Sequence, residues 1–136
     1  MTSAVVVDAS ALIEALLAGR DNARLVRRLR TAWPVAPEFV DLEVLNFLRR
    51  GVRRGNLPDL ATDRVVERLE NAPVYRTPCR GLLRRVWDLR DSVTAYDAAY
   101  VALAEQLGVP LITSDARLAK AHGHDAEIEF YPPTSP

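Results

Sequence analysis

Apolar residues along this chain recur with two different periods. Residues 4–7 and 109–113 are short runs rich in β-branched and aliphatic side chains, the pattern of strands buried on both faces. Proline near the start of the second run is tolerated there. Longer stretches repeat at three and four residues and predict helices over 9–17, 21–31, 37–54, 60–71, 79–90 and 95–107, with Gly19 and Gly108 in stop positions. In the 79–90 helix the period turns Leu82, Leu83, Val86, Trp87 and Leu89 inward. Short strands are expected within 33–37, at 73–77 beside a sheet edge, and at 127–131 with one face exposed. A further helix is expected after Ser114-Asp115. Strands alternating with helices imply right-handed crossovers and an α/β fold, a mostly parallel sheet with helices on both sides.

Two acids break this pattern. Asp97 has Val93, Thr94, Tyr100 and Val101 as its helical neighbours, and Glu43 has Phe39, Val40, Asn46 and Phe47. Each carboxylate therefore lies on an apolar stripe, where an ionised acid costs several kcal/mol unless a cation or strong donors receive it. Two more acids, Asp8 and Asp115, close the runs at 4–7 and 109–113 and so fall at strand ends. Asp8 has two readings: a helix N-cap, a role Ser10 could also fill, or a ligand-site acid at the carboxyl rim of a parallel sheet. Thr94 is placed either as an N-cap or as a site residue.

Size and composition narrow the class. A chain of 136 residues fits one domain over 1–131, with 132–136 (PPTSP) expected as a flexible tail. No apolar run approaches the roughly 20 residues of a membrane span, and the first residues are too short and uncharged for a signal peptide. With Cys79 alone, no intrachain disulfide forms and the cytoplasm is the expected location. Formal net charge is zero, but Lys120 is the sole lysine among 18 basic residues. Arg49, Arg50 and Arg53 follow Glu43 on one helix, with Arg50 two turns and about 10 Å further along. They form either a plain solvated face or an anion-binding edge. The 122–125 segment (HGHD) reads as an exposed turn rather than a metal site.

Four carboxylates in one cleft repel unless neutralised, and a hard divalent cation resolves this, since Mg²⁺ or Mn²⁺ takes oxygen ligands and phosphate. Such a site suits phosphodiester hydrolysis. No Gly-rich phosphate loop, Walker lysine or CxxC pair offers a competing chemistry.

The stretches VVVDASALIEAL, PEFVDLEVLNFLRRG and TAYDAAYVALAEQLGVPLITSDARLAKA resemble the successive motifs of PIN-domain ribonucleases, and more narrowly the VapC toxins of type II toxin–antitoxin systems. The resemblance spans nearly the whole chain. It implies a PIN-like fold and a metal-dependent endoribonuclease. Asp8, Glu43, Asp97 and Asp115 are then the Mg²⁺- or Mn²⁺-binding catalytic acids, with Ser10 and Thr113 in support; Thr94, from its place at the start of the Asp97 helix, is a further supporting candidate. Asp8, Glu43 and Asp97 hold the principal metal; Asp115 holds a second or orients water. Arg49, Arg50 and Arg53 contact RNA, or a VapB antitoxin that occludes the site, and homodimerisation is expected. The alternatives are a non-catalytic RNA- or partner-binding module, or a metal-dependent phosphatase or DNA nuclease on a similar acidic site.

Overall fold

The structure, a computed structural model, describes residues 2–134. Strand β1 (Ala4–Val7) is its centre: Val5, Val6 and Val7 are fully buried, as β-branched residues between two layers of helix should be. Strands β2 (Trp33–Pro37), β3 (Tyr75–Thr77), β4 (Leu111–Thr113) and β5 (Ile128–Phe130) complete a sheet in the order β3-β2-β1-β4-β5. Every neighbouring pair is parallel. The strand order reverses at β1, so its carboxyl end beside β4 is the switch point at which open α/β sheets form a crevice.

Helices α1 (Ala9–Ala18), α2 (Ala23–Arg30), α3 (Val40–Arg53) and α4 (Asp59–Glu70) pack with one another on one face, and α5 (Leu83–Asp88) packs with α6 (Ala95–Leu107) on the other. Helix α6 is the most enclosed, buried without interruption from Ala98 to Ala104. Small side chains at most of these positions let it lie close over β1 and β2. Gly108 ends it in the left-handed conformation (φ 66°), which a side chain would strain. The short α7 (Ala116–Ala119) follows β4.

Several boundaries differ from those the periodicity predicts. Pro37 ends β2 instead of opening a helix, and α3 starts at Val40. A 3₁₀ turn at Gly19–Asn22 delays α2 to Ala23. Residues 109 and 110 precede β4, although the Pro110 carbonyl still accepts the Val6 N–H at 2.9 Å. The expected helix over 79–90 is a 3₁₀ turn (Arg80–Leu82) followed by six residues of α5, with Leu83 and Trp87 62% and 59% exposed rather than inward. The tight turn advances by fewer residues than an α turn and rotates those two positions out of register with the core.

Part of the expected tail lies outside the described residues. Within them, the segment from Tyr131 to Thr134 stays on the domain. Tyr131 N–H donates to the Thr113 carbonyl, and Thr134 bonds Glu14.

Candidate active site

The carboxyl rim of β1 and β4 carries the central group. Asp8 follows β1 directly, and its backbone N–H donates to the Ile112 carbonyl at 3.1 Å, which fixes the two strand ends side by side. Asp8 is 3% exposed. Oδ1 accepts the Ser10 hydroxyl at 2.7 Å and the Ala11 N–H at 2.9 Å, and Oδ2 accepts the Thr113 hydroxyl. Asp8 is thus a helix N-cap and a cleft acid at once, so the two readings of the sequence are compatible. Two donors fill Oδ1, while among the described residues Oδ2 accepts only from Thr113 and keeps a second lone pair. Burial pushes the Asp8 carboxyl up to about 6; the three hydrogen bonds hold it down and the charge of Asp97 adds to the rise.

Glu43 enters from the first turn of α3. The Tyr100 hydroxyl, from α6, donates to its Oε1 at 2.6 Å and leaves Oε2 uncommitted among the described residues. Burial raises the Glu43 carboxyl, with the Tyr100 bond opposing and Asp97 assisting. The Tyr100 ring meets Phe39 edge-to-face, 5.3 Å between centroids, which keeps the phenol in place.

Asp97 lies in the first turn of α6, where its N–H donates to the Thr94 hydroxyl at 3.3 Å. Burial and then the Asp115 charge raise its carboxyl, and Arg117 pulls the other way. Among the described residues, no arginine or lysine forms an ion pair with Glu43 or Asp97. Asp115 caps α7 through Oδ1, which accepts the Arg117 and Leu118 N–H groups, and its Oδ2 stands 3.9 Å from the Arg117 guanidinium.

All four acids line a single open cleft of about 590 Å³, together with Ser10, Arg50 and Ser114. Thr113 sits beneath it, hydrogen-bonded to Asp8. Thr94 lines the adjoining groove instead. Arg49 and Arg53 are exposed on α3 and lie outside the cleft lining.

Among the described residues, no three acid, histidine or cysteine side chains are near enough to chelate one ion as they stand. The donor set nonetheless fits a hydrated hard cation. Every candidate ligand is a carboxylate oxygen; among the described residues Glu43 Oε2 has no hydrogen-bond partner and Asp115 Oδ2 has only the Arg117 guanidinium at 3.9 Å, and Mg²⁺ keeps several waters while binding only one or two carboxylates directly.

Three site residues escape the sequence pattern. Tyr100 reads as core because it lies on a buried helix face, and its hydroxyl partner is on another element. Arg117 supplies a cation beside Asp115 that spacing alone does not orient. Ser114 has a buried hydroxyl without a partner among the described residues and lines the cleft; only its place between Thr113 and Asp115 hints at this.

A parallel sheet that turns acids from two strand ends and two helices into one crevice is the architecture of a PIN domain, and residues 5–123 match the family model for the PIN domain. The chain is 46% identical to Ribonuclease VapC12 of Mycobacterium tuberculosis over 93% of its own length and 98% of that protein's. It belongs to the PIN-domain family, among the VapC ribonucleases. PAE2754 from Pyrobaculum aerophilum has a similar fold (TM-score 0.68, 26% identity, 93% of this chain and 83% of that one). So does VapBC-5 of M. tuberculosis, a member of the VapBC family of toxin–antitoxin systems (TM-score 0.56, 22% identity, 95% and 98%).

Proposed function

We propose that this chain is an endoribonuclease toxin that hydrolyses RNA phosphodiester bonds with Mg²⁺ or Mn²⁺ and is held inactive by a VapB-type antitoxin. The observation that carries the proposal is the buried Asp8, received by three donors at the wall of a cleft that Glu43, Asp97 and Asp115 also line. Ribonuclease VapC12, similar along nearly its whole length, supports the substrate class. The antitoxin and a homodimer are proposed by analogy with the VapC toxins that the chain resembles. Among the described residues no helix is long and apolar enough to cross a membrane.

Asp8 through Oδ2, Glu43 through Oε2, and Asp97 would hold the cation. When bound, Mg²⁺ or Mn²⁺ lowers the pKa of water and offsets charge developing at phosphorus. The chain's own groups do the positioning. Ser10 and Thr113 keep Asp8 from rotating, and Tyr100 aims Glu43. Asp115, locked at Oδ1 by the start of α7, would use Oδ2 to accept a hydrogen bond from the attacking water. Arg50 and Arg117, both in the cleft lining, bind the phosphates flanking the scissile bond. In-line displacement then leaves 5′-phosphate and 3′-hydroxyl ends.

The test is a cleavage assay of the purified full chain on single-stranded RNA with and without Mg²⁺, beside Asp8→Asn and Asp97→Asn. Mg²⁺-dependent cleavage lost in both variants is expected. Undiminished cleavage in both refutes the site.

A further inference from the structure

Beyond the four acids, a fifth carboxylate in the cleft is already spoken for. Glu14 lies on α1, six residues and about 9 Å along the helix from Asp8. It is 9% exposed. Its Oε1 accepts the Thr134 N–H at 2.8 Å, the Thr134 hydroxyl at 2.7 Å and the Asn22 amide at 3.1 Å. The same Asn22 amide reaches the Pro132 carbonyl at 3.3 Å. Residues on α1 and in the 3₁₀ turn after it therefore grip the segment following β5 at two points. At its base, Tyr131 N–H is bonded to Thr113, and the Arg24 guanidinium lies 5.5 Å over the Tyr131 ring.

Between those anchors lie Pro132 and Pro133, whose rings fix φ and lower the entropy lost on docking. Pro133 and Thr134 line the same cleft as Glu43 and Arg50, as do Ile13 and Leu17. A buried carboxylate taking three donors from two segments is a built contact, since leaving it unpaired costs far more than its hydrogen bonds return in water.

We propose that residues 132–134 form a latched wall of the cleft that touches the RNA strand, and that Glu14 is the positioning residue that holds the wall. This rests on the nuclease reading. The latch occupies Glu14 Oε1, so the role proposed for Glu14 is to act on substrate through the wall.

Two substitutions separate these roles. Glu14→Gln keeps a carbonyl oxygen for Thr134, whereas Glu14→Ala keeps none. Thr134→Pro removes both Thr134 donors without touching α1, and covers the case in which the Ala variant fails to fold. The readouts are cleavage of a single-stranded RNA oligonucleotide over a range of Mg²⁺ concentrations and, by NMR without RNA, hydrogen exchange at the Thr134 amide. That amide is the segment's exchange probe because both prolines lack one.

In the Ala and Pro variants KM is expected to rise on the order of tenfold with kcat unchanged, the pattern of lost substrate binding. Glu14→Gln should restore KM, and the Mg²⁺ requirement should stay fixed throughout. The Thr134 amide should be protected in the unmutated protein and in Glu14→Gln, and exchange freely in Glu14→Ala. Three results overturn the proposal: rapid Thr134 exchange in the unmutated protein, an unchanged KM in Glu14→Ala and Thr134→Pro, or a Glu14→Gln variant that fails like Ala and demands more Mg²⁺. Failure of the unmutated chain to cleave RNA tells against the nuclease reading instead, and is distinguished because the exchange measurement needs no RNA.

Discussion

Asp8 is held at odds with its solvation, and its stability cost has a sign. Its folded pKa, about 6, lies above the ordinary value of 3.8, so the folded chain binds this proton more tightly than the unfolded one. The Asp8 contribution therefore falls as pH rises through the window from about 4 to about 6, by about 3 kcal/mol in the metal-free protein. Asp8→Asn escapes the penalty, and asparagine still caps α1. In EDTA the variant should be more stable than its parent at pH 7, with the gap closing toward pH 4, as read from urea unfolding at the two pH values. A gap that is independent of pH would contradict the assignment. Tyr100→Phe tests the other held acid. The ring still packs on Phe39, but Glu43 loses its donor, so cleavage should fall while unfolding changes by about 1–3 kcal/mol. The two helix acids were legible in the chain because a charge on an apolar stripe is costly whatever surrounds it. Tyr100 was not, because an aromatic on that stripe is ordinary core until its hydroxyl is seen to reach another helix.

At the scale of elements, long helices and the central strands follow from periodicity because their buried faces are wide. Helix α6 has its start at Thr94 and stop at Gly108 written in residue type as well as period. Gly108→Ala forces a side chain into the left-handed region and should cost about 1 kcal/mol, measured as a shift in the urea midpoint. Helix α5 misleads because six residues give the period little to average over, and the preceding 3₁₀ turn changes its phase. The route of residues 131–134 was beyond reach of local pattern. It depends on Thr113, Glu14 and Asn22, all far away in sequence, and PPTSP alone has the composition of a free end.

For the molecule as a whole, zero formal charge conceals an uneven surface: acids gather at the sheet's carboxyl rim, and Arg50 and Arg117 border them. RNA bound in EDTA should weaken as salt rises, and Arg50→Ala should reduce the slope of log affinity against log salt by about 0.7, one phosphate contact on a single strand. Mg²⁺ should raise the midpoint of thermal unfolding in the unmutated chain and leave Asp97→Asn almost unmoved, because a ligand stabilises only the state that binds it. Fold and acid positions were readable together because β–α alternation puts strand ends on one rim. Which residues close that rim was settled by packing across the chain.

Asp8 is clasped by Thr113, 105 positions later. A growing polypeptide that has not yet produced β4 holds Asp8, Glu43 and Asp97 but lacks the hydroxyl, the adjoining strand and the last acid. The candidate site is therefore assembled only after β4 and Asp115 have been made, and a nascent chain that stops short of them carries its acids without the cleft that gathers them.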